Sequence, residues 1–228
     1  MHTREDFSVI NRKQKRIQVE EKVKGTFPYV EDMPSFPGML YCEVLRSPRA
    51  HARVVKIDIE KAKKLEGVVD VVTHWDIGEQ FIQREISADP NKPRPWDSYL
   101  LEKEVRYVGD RVAAVVAESP AIAAKALTLI DVEYEDLPAV FDIDEAIKPG
   151  APKVHEYNYT AEKTIEIKNN VVAPITMNTG DVEQGFEEAD FIVENKFRTG
   201  RQFNSPIGRP CCIARDRKST RLNSSHYS

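Results

Sequence analysis

The chain has 228 residues, of which 41% are hydrophobic and 31% are charged, a composition typical of a globular protein with a hydrophobic core. Its formal net charge of −4 argues against the basic surface of a nucleic-acid-binding protein. No apolar run reaches the roughly 20 residues that a membrane-spanning helix needs, so we predict no membrane span.

The N-terminus and the cysteines predict a cytoplasmic protein. Residues 1–9 lack the apolar core of a secretory signal, and residues 12–16 form a small basic cluster that we expect to be solvated. Three cysteines do not make a disulfide framework. The adjacent Cys211 and Cys212 cannot form a relaxed disulfide with each other, so we expect them to be buried or half-buried residues of a strand.

The sequence predicts an N-terminal arm over residues 1–20 and a first domain over residues 21–145. Asp58 is placed to cap a helix over residues 59–65, which Gly67 would end. Residues 76–100 are expected to be irregular, because they contain three prolines. Apolar and β-branched runs predict strands at residues 38–46, 54–57 and 68–73.

The second half of this domain has the clearest pattern. Residues 105–108 and 111–117 are predicted to be two strands joined by a tight turn at Gly109 and Asp110. Ser119 and Pro120 predict the start of a helix that runs to about residue 130, with Ile122, Ala126, Leu129 and Ile130 facing the core. A further strand is predicted at residues 132–134. Strands and helices in this order indicate an α/β or α+β sheet with helices packed on it.

Residues 146–175 show little periodicity and are interpreted as a connector to a second region over residues 176–215. In that region, Asp181 and Gln184 have the spacing of a helix cap. Phe191, Val193 and Phe197 alternate with charged residues, which predicts a half-buried strand. Residues 211–214 also resemble a strand.

Residues 216–228 have no apolar period and resemble a translated sequencing adapter. We therefore predict that they are a non-native tail and that the chain is truncated near residue 215. A natural tail rich in serine and arginine is the alternative interpretation.

The sequence offers no catalytic, cofactor-binding or metal-binding residues. It contains no HExxH, CxxC, GxGxxG, Walker-type or GxSxG motif. His51 lies in a polar turn and is interpreted as a structural residue. Asp131, Glu133 and Glu135 fall on one face of a strand, which is typical of a solvated sheet face and not of a catalytic carboxylate cluster. The five histidines lack ligand spacing; they are His2, His51, His74, His155 and His226.

Several runs together resemble the α/β hammerhead region of molybdenum hydroxylase large subunits, of the xanthine dehydrogenase/aldehyde oxidase type. The first is residues 22–32, and the most diagnostic is the run from Leu45 to Arg53. Further matching runs are residues 38–41, 57–58, 65–68, 105–118 and 132–140. Beyond the connector, residues 180–181, 186–190 and 198–202 resemble the start of a molybdopterin-binding domain. Residues 206–210 read Pro-Ile-Gly-Arg-Pro where many relatives have a Met-Glu pair.

This resemblance implies an α+β hammerhead fold, followed by the first elements of a truncated molybdopterin-binding domain. It implies an oxidoreductase that hydroxylates an N-heterocycle, an aldehyde or a related electron-poor carbon, with water as the oxygen source. The full-length subunit would hold a molybdopterin-type molybdenum cofactor. Partner subunits would carry [2Fe–2S] clusters (small subunit) and FAD (medium subunit), and the catalytic residues would lie after Ala214, so the chain alone is predicted to be inactive and to bind no cofactor. The alternative is a stand-alone, non-catalytic α/β interaction module derived from that family.

Overall fold

The structure, a computed structural model, describes residues 13–82, 98–159, 164–171, 177, 179–208 and 210–215. The chain forms two compact units, one from Met1–Phe36 with Asp190–Ser228 and one from Pro37–Ala189. The helices are α1 (Val19–Lys24), α2 (Glu60–Lys63), α3 (His74–Ile77), α4 (Pro120–Leu127), α5 (Ile143–Ala146) and α6 (Val182–Glu187). The strands are β1 (Tyr41–Arg46), β2 (Ala52–Asp58), β3 (Val68–Thr73), β4 (Phe81–Ile82), β5 (Ser98–Tyr99), β6 (Glu104–Val105), β7 (Arg111–Ala117), β8 (Asp131–Asp136), β9 (Tyr157–Tyr159) and β10 (Thr164–Glu166).

The larger unit contains two three-stranded antiparallel sheets. In the first sheet, β7 lies between β1 and β3, and in the second, β2 lies between β6 and β8. The central strand β7 buries Val112 and Val115, which belong to one core cluster with Val71 of β3 and Val54 of β2. The predicted strands at residues 38–46, 54–57, 68–73 and 132–134 are present, although the first begins only at Tyr41, and the fold is the α+β arrangement that the sequence indicates.

The prediction of a hairpin over residues 105–117 is wrong. The two strands lie in different sheets, because β6 pairs with β2 whereas β7 pairs with β1 and β3. The turn between them exists, with the Asp110 N–H donating to the Tyr107 carbonyl at 3.1 Å. Ser47, at the end of β1, bonds this turn on both sides, through its N–H to Asp110 and through its carbonyl to Gly109. The turn therefore carries the chain from one sheet into the other.

Helix α4 packs on the first sheet and begins where the sequence predicts. The Ser119 hydroxyl oxygen accepts a hydrogen bond from the Ile122 N–H, and Pro120 occupies the first helical position. Its buried face is formed by Ala123 and Ala126, small side chains that let the helix approach the sheet closely. Gly67 lies against this helix at φ +82°, where an added Cβ would be 2.6 Å from the Ile122 side chain.

Two helices are shorter than predicted, and the expected connector contains regular structure. Helix α2 covers only Glu60–Lys63, and α4 ends at Leu127. Within residues 146–175 lie the antiparallel pair β9–β10 and a tight turn in which Asn169 and Asn170 both have positive φ. Adjacent asparagines suit such a turn, a signal that the sequence interpretation did not use.

The expected loop over residues 76–100 also contains regular structure. Part of α3 and the short pair β4–β5 lie within it. The three prolines of this loop lie outside the described residues.

The predicted strand over residues 191–197 is not formed. Phe191, Val193 and Phe197 are 91%, 82% and 87% exposed, and no described residue pairs with this segment. Alternation alone does not make a strand, because the hydrogen bonds and the apolar face both need a neighbour. Cys211 and Cys212 are likewise exposed and outside any strand, which corrects the expectation that they are buried or half-buried. Helix α6 is present, with Asp181 Oδ1 accepting from the Gln184 N–H.

None of the described helices is long and apolar enough to cross a bilayer. The predicted domain limits at residues 20, 145, 175 and 215 remain predictions, and the tail over residues 216–228 lies outside the described residues.

Candidate functional site

The described residues contain no group of three or more metal-ligating side chains, and the histidines among them are not brought together. His2 and His226 lie outside the described residues. His51 has the structural role that the sequence suggests. Its Nδ1 lies 2.6 Å from the Pro138 carbonyl oxygen, which can only accept, so Nδ1 carries the proton of this hydrogen bond.

The carboxylates of β8 are solvated, as predicted. Each lies opposite a cation on or next to β2, in the pairs Arg53–Glu135 (2.7 Å), Lys61–Asp131 (3.1 Å) and Lys56–Glu133 (3.6 Å). All six side chains are largely exposed. They form a charged sheet face and not an acid–base site.

A buried polar cluster lies at the turn between β6 and β7, and the sequence interpretation missed it. Its two most buried members are Glu102 and Asp110, each 2% exposed. The Asp110 carboxylate accepts hydrogen bonds from the N–H groups of Arg106 and Arg111, both at 3.1 Å. Asp110 therefore stabilises the turn that moves the chain between the sheets.

Glu102 is bonded through only one of its carboxyl oxygens. Its Oε1 accepts from the Tyr99 N–H at 2.8 Å, whereas Oε2 has no hydrogen-bond donor among the described residues. The nearest cation is Arg106, whose Nη1 lies 3.5 Å from Oε2, too far for a good hydrogen bond. Burial raises the pKa of Glu102 to about 7, and the neighbouring Asp110 carboxylate adds to the increase. The Tyr99 N–H and the guanidinium groups of Arg106 and Arg111 oppose it.

Arg106 links this cluster to the region after α5. Its Nε donates to the Val154 carbonyl oxygen at 2.8 Å, and its Nη2 donates to Glu104 Oε1 at 3.1 Å. The Val154 N–H in turn donates to Asn170 Oδ1 at 2.9 Å. The Asn170 amide also donates to the carbonyls of Ala146 and Pro152, so it holds α5 and the Val154 segment together.

An apolar cleft of about 310 Å³ lies beside this junction. Its lining includes Phe141, Ile143 and Ile147, together with Val154 and Asn170. Its lining contains no lysine or arginine. The cleft can bury an apolar group, and its polar lining side chains are those of Asp142, His155 and Asn170.

Little in the sequence distinguishes Glu102 from a surface residue, because it opens the charged run from Glu102 to Glu104. The one available signal is Asp110 after Gly109, which predicts a turn but not a buried one. Burial of both carboxylates depends on the meeting of the two sheets, which local pattern does not specify.

Comparison with known proteins supports the resemblance seen in the sequence. Residues 24–138 match the family described as "Aldehyde oxidase and xanthine dehydrogenase, a/b hammerhead domain". The chain is 35% identical over 238 aligned residues to "Probable hypoxanthine oxidase XdhD" of Escherichia coli K12, covering 93% of this chain and 25% of that protein. It is 32% identical to the nicotinate dehydrogenase large molybdopterin subunit of Eubacterium barkeri, covering 86% of this chain and 42% of that protein.

A solved structure with the same fold is quinoline 2-oxidoreductase from Pseudomonas putida 86. The two share 39% identity with a TM-score of 0.50, over 58% of this chain and 17% of that one. The chain thus spans a quarter of the length of the hypoxanthine oxidase and less than half of the nicotinate dehydrogenase subunit.

Proposed function

The chain belongs to the aldehyde oxidase and xanthine dehydrogenase family, and we propose that it is part of the molybdenum-cofactor-binding subunit of an oxidoreductase. The match of residues 24–138 to the hammerhead domain carries this proposal. The proposed reaction is hydroxylation of an electron-poor carbon with water as the oxygen source. The cofactor would supply the redox chemistry, and the protein would orient the substrate.

The described residues do not fit the cofactor itself. They contain no group of three or more metal-ligating side chains, and the cleft beside α5 has no lysine or arginine for the pterin phosphate. We therefore assign no step of the reaction to them, and propose that other parts of the subunit bind the cofactor and supply the catalytic residues. On this basis the chain alone is inactive.

The proposed partners are a small subunit with [2Fe–2S] clusters and a medium subunit with FAD. We propose a cytoplasmic location, which is supported by cysteines that form no disulfide among the described residues.

The proposed substrate is an N-heterocycle, an aldehyde or a related compound with an electron-poor carbon. The names of three relatives support testing N-heterocycles first, because they refer to hypoxanthine, nicotinate and quinoline.

The alternative of a stand-alone interaction module is less well supported. A self-contained module should bury the apolar side chains of its last segment, since exposed clusters of large apolar groups favour association. Phe191, Val193 and Phe197 are instead exposed. This exposure is what we expect of a segment that packs against further parts of a larger subunit.

Two experiments test the proposal. Resequencing the source DNA across the codons of Arg215 and Asp216 should show a reading frame that continues into a long, glycine-rich domain. The complete subunit, expressed with its iron–sulfur and flavin partners, should then contain about one molybdenum per subunit by elemental analysis. It should reduce an artificial electron acceptor when hypoxanthine, nicotinate, quinoline or an aldehyde is added. A stop codon shortly after Ala214, or a complete subunit without molybdenum, would contradict the proposal and favour the interaction module.

A further inference from the structure

The buried cluster at the β6–β7 turn has an imbalance of charge. Three carboxylates, those of Glu102, Glu104 and Asp110, stand close to two guanidinium groups, those of Arg106 and Arg111. The Arg111 guanidinium donates to the backbone carbonyls of residues 99 and 100. Arg106 also donates to backbone carbonyls, from Nη1 to Glu104 at 2.9 Å and from Nε to Val154 at 2.8 Å. Its Nη1 lies 3.5 Å from Glu102 Oε2, so Arg106 is the cation placed to respond when that carboxyl group changes its charge.

We propose that Glu102 is a proton-linked switch that sets how firmly Arg106 holds the backbone at Val154, and through it the wall of the apolar cleft beside α5. This inference does not depend on the proposed enzymatic function. It rests on the position of Arg106, which lies between the buried Glu102 carboxyl and the Val154 carbonyl.

In the protonated state, Glu102 is neutral and exerts little electrostatic attraction on the Arg106 guanidinium. The guanidinium then keeps the geometry seen in the structure, with Nε on the Val154 carbonyl, Nη1 on the Glu104 carbonyl and Nη2 on the Glu104 carboxylate. The Val154 segment is held from both sides, because its N–H is bonded to Asn170. The cleft keeps its present shape.

When Glu102 releases its proton to water, a negative charge appears on a carboxyl group whose Oε2 has no hydrogen-bond donor among the described residues. Such a charge is strongly stabilised by a nearby cation in a buried site. It should attract Arg106 Nη1 from its distance of 3.5 Å into a direct hydrogen bond. Rotation of the planar guanidinium would lengthen the bond from Nε to Val154, which loosens this wall of the cleft.

The other charged and titratable groups around Glu102 have hydrogen-bond or ion-pair partners of their own. Glu104 faces His51 Nε2 at 3.5 Å as well as Arg106, and Lys103 pairs with Glu79 at 2.6 Å. Asp110 is bonded to two backbone N–H groups. Glu102 is thus the carboxyl group whose negative charge would have the weakest support from neighbouring cations and hydrogen-bond donors.

The test is an NMR pH titration of the full 228-residue chain, in which the Val154 amide resonance is followed from pH 5 to pH 9. It should shift with a midpoint near pH 7, together with the carboxyl carbon of Glu102. Amide exchange at Val154, corrected for the intrinsic effect of pH, should be about tenfold faster at pH 8.5 than at pH 6.

Two variants complete the experiment. Glu102→Gln, which mimics the neutral acid, should abolish both changes. Glu133→Gln, a matched change on the solvated face of β8, should leave them as in the wild type. A wild-type Val154 amide that shows no step near pH 7 would overturn the proposal, as would a step that persists in Glu102→Gln.

Discussion

The stability of the larger unit should fall as pH rises through neutrality, because of Glu102. Its folded-state pKa of about 7 is raised from the ordinary 4.5, so the folded chain binds this proton more tightly than the unfolded chain. Below pH 4.5 the group is protonated in both states and contributes nothing to the difference. As pH rises from 4.5 through 7, the unfolded state ionises first, and stability is lost until the folded state also ionises. The full loss corresponds to about 3.5 kcal/mol, at about 1.4 kcal/mol for each pH unit between the two pKa values.

Replacing Glu102 with glutamine should remove this loss. The amide oxygen can still accept the Tyr99 N–H, and no charge has to be buried. Urea unfolding followed by circular dichroism should show little difference between the variant and the wild type at pH 4.5. At pH 8.5 the variant should be more stable by up to about 3.5 kcal/mol. Glu133→Gln serves as the control, since its ion pair is exposed and worth at most about 1 kcal/mol. Parallel pH profiles for Glu102→Gln and the wild type would refute the reasoning.

Three further predictions concern the packing of α4 and the chain as a whole. Gly67→Ala should destabilise the larger unit by about 2 kcal/mol in urea unfolding, because the left-handed φ and the contact with Ile122 both disfavour a Cβ; an unchanged midpoint would contradict the close approach. Ser119→Ala should cost about 1 kcal/mol through loss of the helix cap, whereas Ser119→Asp should retain most of the stability. The 228-residue chain expressed alone should contain no molybdenum by elemental analysis, and a stoichiometric amount would show that we have misplaced the cofactor site.

The sequence predicted those elements whose causes are local. Helix α4 begins at Ser119 and Pro120 because the cap and the proline act within one turn, and β3 forms where β-branched residues are dense. Strand partners are not local, which is why residues 105–117 looked like a hairpin although the two strands belong to different sheets. The hydrogen bonds of Ser47 to the turn decide this arrangement, and Ser47 is about sixty residues away in the chain.

The buried cluster could not be predicted for a related reason. Charged residues are seldom fully buried, so a sequence interpretation places Glu102 on the surface by default. Its burial results from the meeting of β5, the β6–β7 turn and β7, three segments whose contacts are tertiary. The family resemblance was recognised from the sequence because it depends on the order of short motifs and not on such contacts.

The ion pairs between β2 and β8 have a consequence for association between molecules. Exposed ion pairs add little to stability, so we expect their main effect at the edge of the second sheet. Among the described residues, β8 is the edge strand of that sheet and has β2 on one side only. An open edge strand is a template on which another polypeptide can add a strand and begin a fibril. Charged side chains on an edge strand oppose such pairing, and β8 carries them at Asp131, Glu133 and Glu135. High salt or neutralisation of these side chains should therefore promote aggregation well before it unfolds the protein.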